Sequence, residues 1–132
     1  MKRDLFTALL LCLSLLSLIL TACQGADSRF VGNYQAVLPS ATTDGRRVTL
    51  TLNDDNTASL TNDYMDGQTP VRESGTWDST EDTVAVILTE TGGEPREQEV
   101  KITFQLFEDR LFVMDFEPAD YFPSAGLQLK KL

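Results

Sequence analysis

Carboxylates dominate the side chains able to do chemistry in this chain: 20 Asp and Glu stand against 11 Lys and Arg, and there is no histidine. Nucleophilic catalysis through a hydroxyl needs a positioned base, and imidazole, the usual one, is missing. Paired carboxylates are the remaining acid/base option, but no pair is set apart by its spacing. Asp115, Glu117 and Asp120 read as members of a solvated loop. Asn53, Asp55 and Thr57 alternate like the first ligands of a calcium loop but lack the glycine and the closing glutamate that such a loop requires. Turn chemistry explains them instead. The chain is therefore read as a non-enzyme without a cofactor.

The most telling sulfur is that of Cys23, which ends the run Leu20-Thr21-Ala22-Cys23. Ahead of it stand a short charged head with Lys2 and Arg3 and a nearly unbroken apolar stretch from Leu5 to Leu20. A charged head, an apolar middle and small residues at the end make a secretory signal. The stretch holds 16 residues, short of the ~20 that a spanning helix needs. The four closing residues resemble the lipobox of bacterial lipoproteins. That resemblance implies removal of residues 1–22, acyl chains on the Cys23 thiol, and a mature protein on the membrane. Two or more chains suffice for stable anchoring, where one does not. Gln24, in place of the aspartate typical of inner-membrane lipoproteins, implies the periplasmic face of the outer membrane if the source is Gram-negative. Cys12 leaves with the leader, so no thiol remains for a disulfide and the domain must be stable through its core alone.

Removing 22 of 132 residues leaves 110, enough for one domain. Lys2, Arg3 and Asp4 depart with the leader, which moves the net charge from −9 to −10. So acidic a surface repels phosphate backbones and argues against nucleic acid as a partner. Residues 23–29 read as the lipidated cysteine and a short polar tether, and residues 30–132 as the domain.

From Phe30 the chain shows short alternating segments between turn residues, the pattern of an antiparallel all-β protein. Tyr34, Ala36 and Leu38 share one parity, as do Val48, Leu50 and Leu52. Asn53–Asn56 reads as a hairpin turn into Ala58 and Leu60. Val71, Gly75 and Trp77 follow, then Val84, Val86 and Leu88, with Gly92-Gly93 as a further turn. Val100, Ile102, Phe104 and Leu106 alternate most cleanly, and Glu108-Asp109 turns them into Leu111–Phe116. Leu127 and Leu129 close the domain after a loop, Glu117–Ala125, that carries two prolines. About eight strands in sequence can close as a small meander barrel, which removes sheet edges.

Three residues carry more specific expectations. Glu73 shares parity with Gly75 and Trp77 and so should turn inward. Its expected place is a bulge or the barrel mouth, with the carboxylate in water. The alternative is a buried carboxylate paired with Arg46, Arg47 or Arg72, since an unpaired buried charge is costly. Trp77 is expected as a core plug beside Gly75. Met114, inside an apolar strand, is expected in the core.

Gly32-Asn33-Tyr34, Leu38-Pro39 with Gly45, Val48–Asn53 and Glu73-Ser74-Gly75-Thr76-Trp77 together resemble the N-terminal domain of the NlpE lipoproteins. The resemblance runs from about Phe30 to Leu132. It implies a lipocalin-like antiparallel barrel on a lipid anchor, with roles in copper tolerance, surface adhesion and envelope stress signalling. Fuller members carry a second, OB-like domain, which this chain is expected to lack. The family's Leu-Pro-Cys-x-x-Cys loop reads here Leu38-Pro39-Ser40-Ala41-Thr42-Thr43, with Ser40 and Thr43 in place of the cysteines. Copper(I) favours thiolate and thioether, and copper(II) favours imidazole. With only Met65 and Met114 left to offer sulfur, tight copper binding is not expected and no metal site is assigned.

Two functions remain. One is an envelope lipoprotein that contacts another envelope protein in stress sensing or surface interaction. The other is a lipocalin-like carrier of a small apolar ligand. Large inward residues, among them Leu50, Leu60, Trp77, Phe104 and Leu106, tend to fill a small barrel and favour the first.

Overall fold

A computed structural model describes residues 25–132. The leader, the Leu20–Cys23 run and Gln24 lie outside these residues. Eight strands form in sequence: β1 (Gly32–Leu38), β2 (Arg46–Leu52), β3 (Thr57–Asp63), β4 (Val71–Thr80), β5 (Thr83–Thr91), β6 (Glu94–Phe107), β7 (Arg110–Glu117) and β8 (Gln128–Lys131). Each pairs antiparallel with the next, and β8 returns to β1, so the sheet closes into a barrel. The all-β meander read from the alternation is the fold observed.

Alternation decides which side chains fill the barrel. Val48, Leu50 and Leu52 of β2 face Ala58 and Leu60 of β3 from inside, while Thr49, Thr51 and Thr61 stay partly in water. Tyr34, Trp77, Phe104, Leu88, Ile102 and Leu111 complete the interior. Leu106 is only partly buried and packs against the rim of this cluster. Val71 is 42% exposed because β4 begins outside the barrel mouth. The Gly92-Gly93 turn has both residues at positive φ (60° and 85°), as the tightest hairpins of right-handed twist require.

In a meander of this kind, alternate connections gather at opposite ends. One end, called here the near end, collects the Asn53–Asn56 turn, the β4–β5 and β6–β7 turns, and both termini of the described chain. Phe30 is fully buried there, with its ring 6.2 Å from that of Trp77. Trp77 is the expected plug, and its indole N–H donates to the Asn53 carbonyl at 2.9 Å. Just before Phe30, Arg29 pairs with Asp27 at 2.8 Å and with Asp82 at 2.9 Å. Ala26 packs against the core. The polar stretch read as a tether is thus laid on the barrel from Ala26 onward.

The other end, the far end, gathers the Pro39–Gly45 loop, the Tyr64–Pro70 loop, the β5–β6 turn and the segment 118–127. That segment consists of turns and bends and contains no helix. It sends Phe122, 3% exposed, into the barrel mouth, where Phe122 meets the Phe116 and Tyr121 rings edge-on.

Three bulges modify the ladder, at Ser74/Gly75, Leu88/Glu90 and Thr103/Phe104. At the first, a Cβ on Gly75 would stand 1.8 Å from the Ile87 carbonyl oxygen, so only glycine admits this approach of β5. The third corrects the placement of Met114. Thr103 pairs with Asp115 and Phe104 with Val113, which leaves Met114 as the extra residue of β7, 54% exposed.

Candidate functional site

The far end concentrates the polar chemistry, and Glu73 is its centre. At 4% exposure it is one of two buried polar or charged residues among those described; the other is Asn62. The expectation of a solvated carboxylate is overturned. The bulge is present, one residue on, but it turns Glu73 into the mouth of the barrel rather than out of it. The Asn62 side-chain amide donates to Glu73 at 3.0 Å. The Arg96 guanidinium and the Tyr121 hydroxyl donate to its two carboxylate oxygens.

None of the three arginines proposed from sequence is its ion partner. Arg47 pairs with Asp63 at 3.4 Å, and Arg72 lies exposed. Arg46 reaches Glu73 only through Asn62. Its Nε and one terminal nitrogen donate to Asn62 Oδ1 at 2.9 and 2.6 Å, and the other terminal nitrogen donates to the Tyr121 carbonyl at 3.3 Å.

Three elements therefore bring donors to the Glu73 carboxylate of β4, namely β3 with Asn62, β6 with Arg96 and the β7–β8 segment with Tyr121, and β2 joins them through the bonds of Arg46 to Asn62 and the Tyr121 carbonyl. A buried carboxylate persists when such donors compensate its lost hydration. Among the described residues no buried side-chain nitrogen or oxygen lacks a partner. Burial raises the Tyr121 phenol well above its ordinary value, and the Glu73 carboxylate that accepts its proton raises it further. At the near end, burial alone pushes Tyr34 up to about 12, and its hydroxyl donates to the Phe30 carbonyl at 2.8 Å.

Sequence reasoning placed Glu73 inward but missed Asn62, Arg96 and Tyr121. Asn62 was within reach, since it continues the inward parity of Ala58 and Leu60. Tyr121-Phe122 between Pro118 and Pro123 was an aromatic pair in a loop, a pattern that suggests a cap. Arg96 gave no signal. It sits in the stretch Arg96–Glu99, which stands opposite the single residue Thr89, and only this irregularity brings it back to Glu73.

Ser40 and Thr43 lie at the same end. The Ser40 hydroxyl oxygen accepts from the backbone N–H groups of Thr42 and Thr43, each at 3.3 Å. The Thr43 hydroxyl donates to the Gly45 carbonyl at 2.9 Å. Both hydroxyls are engaged in holding the loop. The Met65 sulfur lies beside Gly45, the residue whose carbonyl accepts from Thr43. Among the described residues no three His, Cys, Asp or Glu side chains are grouped to hold a metal. One thioether and two engaged hydroxyls do not fit copper in either oxidation state.

The other sequence candidates are local. Asp55 accepts from the Thr57 amide and hydroxyl at 2.9 and 2.6 Å, and these bonds lower its pKa. This is turn chemistry. Asp115, Glu117 and Asp120 are exposed.

Between the Pro39 loop and Tyr121 runs a groove of about 290 Å³, lined by Leu38, Pro39, Ser40, Arg46, Tyr64, Asp120, Tyr121 and Pro123. The Arg46 guanidinium carbon lies 5.6 Å from the Tyr64 ring centre, 5.8 Å from that of Tyr121 and 5.6 Å from that of Phe122.

No curated protein shows significant similarity to the chain. A solved structure from Shewanella oneidensis, of a protein proposed to be a lipoprotein, aligns with it at 24% identity and a TM-score of 0.49, over 77% of this chain and 88% of that one. The family model described as the NlpE N-terminal domain matches residues 34–119. That match runs from the first buried residue of β1 past the end of β7 and covers well over half of the sequence, so the chain belongs to the NlpE N-terminal domain family.

Proposed function

We propose that this protein is a non-catalytic cell-envelope lipoprotein of NlpE type, anchored through acyl chains on Cys23. In this reading the near end of the barrel lies toward the membrane and the far end docks on another envelope protein, in stress sensing or surface interaction. The observation that carries the reading is where the chain enters. Phe30 plugs the near end seven residues after Cys23, and seven residues span at most ~25 Å. The docking of Ala26–Arg29 shortens that reach further. The family loop and the Arg46 groove then point away from the lipid.

The test is site-specific photocrosslinking in whole envelopes, from position 41 at the far end and position 54 at the near end. The same protein captured from 41 but not from 54, and lost in Cys23→Ala, is the expected result. Equal capture from both ends, or capture independent of Cys23, contradicts the reading. The carrier alternative ranks second because aromatic and branched side chains occupy the interior. Release of a bound lipid by heated protein, with no partner captured, would replace the first reading with it. Tight copper binding is not expected of this donor set. A copper(I) titration against a competing chelator checks this, and sub-micromolar affinity contradicts it.

A further inference from the structure

Arg46 is a cation without a counter-ion. Among the described residues no carboxylate lies within ion-pair distance of it, whereas Arg29, Arg47, Arg96 and Arg110 all have one. Its contacts are a side-chain amide oxygen, a backbone carbonyl and three aromatic rings. Glu73, the buried carboxylate of the neighbourhood, is engaged by Arg96, and Asn62 stands between it and Arg46. Asp120 lines the same groove and is solvent-exposed. The strongest unmet interaction of a half-buried guanidinium held this way is with an anion.

The hydrogen-bond count agrees. A guanidinium carries five N–H donors. Three are engaged in the bonds to Asn62 and Tyr121, which leaves two for a ligand. Asn62 and the Tyr121 backbone also fix the plane of the group, so the site is rigid before a ligand arrives. In the same groove Leu38, Pro39, Tyr64 and Pro123 supply apolar and aromatic walls. A groove of about 290 Å³ has room for one aromatic-sized group and little more.

We propose that this groove binds a carboxylate attached to a single apolar or aromatic group, with Arg46 holding the carboxylate and Tyr64, Pro39 and Pro123 enclosing the body. The occupant is the last residue of a partner polypeptide, with its terminal carboxylate on Arg46 and its apolar side chain between the walls; a small free acid is the other outcome that the test separates. The net charge of −9 repels anions in proportion to their charge and so discriminates most strongly against multiply charged ones. The inference deepens the far-end docking reading by naming what that surface recognises. It does not require the anchor.

The test uses the full-length protein, isotopically labelled and purified in detergent micelles, with backbone amide shifts followed by NMR. The probes are 3-phenylpropionate, acetyl-alanyl-phenylalanine and the C-terminal amide of that dipeptide. The dipeptide acid is expected to shift amides in residues 38–46 and 120–123, and its C-terminal amide is expected to shift none of them. Binding of the dipeptide acid, with or without weaker binding of phenylpropionate, supports the chain terminus, and binding of phenylpropionate alone overturns it in favour of a free acid. Arg46→Gln should weaken the binding roughly tenfold or more. Tyr64→Ala changes an exposed wall residue, should leave near-end amides unmoved, and should weaken binding about threefold. No shift at millimolar acid, equal binding of the amide, or full affinity in both variants overturns the proposal. Loss of acid binding would leave the Cys23-dependent crosslinks intact, and loss of those crosslinks would leave acid binding intact, so the two failures are distinguishable.

Discussion

Glu73 gathers donors from three separate elements, so its removal leaves three groups without an acceptor. Glu73→Ala strands the Arg96 charge as well as the Asn62 amide and Tyr121 hydroxyl, and is expected to cost about 3 kcal/mol of unfolding free energy. Urea denaturation checks this, and a loss below about 0.5 kcal/mol, the scale of an ordinary surface change, would show that the cluster is not formed. The two phenols, Tyr34 and Tyr121, carry a pH signature of common origin, the burial that disfavours their charged form. Tyr34 and Tyr121 are kept neutral by the fold, whereas the unfolded chain ionises them near 10. As pH rises past 10 the unfolded state loses protons first. Stability is therefore full below pH 10 and falls as pH climbs toward the Tyr34 value of about 12. Equilibrium unfolding between pH 9 and 11.5 should show this decline, and Tyr34→Phe should make it shallower. A flat profile contradicts the burial assigned to both phenols. The inward position of Glu73 was legible from its parity with Gly75 and Trp77. Its partners were not, because alternation says which way a side chain points and nothing about which distant irregularity meets it.

Strands and turns were the legible elements, since each carries its own period-two record and its own turn residues. Val100–Leu106 and Gly92-Gly93 needed no tertiary information. The bulges needed all of it. A bulge is a mismatch in length between two strands, so neither sequence contains it alone. That is why Met114 was expected inside and lies outside. It also makes the two residues a matched pair for experiment. Met114→Ala should change stability by less than about 0.5 kcal/mol, while Phe122→Ala, which empties the barrel mouth, should cost about 3 kcal/mol or more. Comparable losses in both would mean that the β7 register is wrong. Gly75→Ala tests the first bulge. Its methyl group would meet the Ile87 carbonyl, so a loss of at least about 2 kcal/mol is expected, read by thermal unfolding. A neutral result would rule out the close approach of β5.

The whole molecule is a closed sheet with two unlike ends. The near end is sealed by Phe30 and Trp77 and receives the chain from its N-terminal side. The far end carries the Glu73 cluster, the Ser40–Thr43 loop and the Arg46 groove. Opposed ends follow from strand order alone, because an even number of meandering strands returns both termini to one side. That much was available from the alternation once eight strands were counted. What the far end could hold was not, since Arg46, Tyr64 and Tyr121 come from three separate stretches of the chain. The functional reading rests on this polarity together with attachment at residue 23. Mass spectrometry of the native protein tests that attachment most directly. The account predicts a first tryptic peptide running from Cys23 to Arg29 with diacylglycerol on the cysteine sulfur. A first peptide that keeps the leader, or one with a free thiol at Cys23, would contradict it.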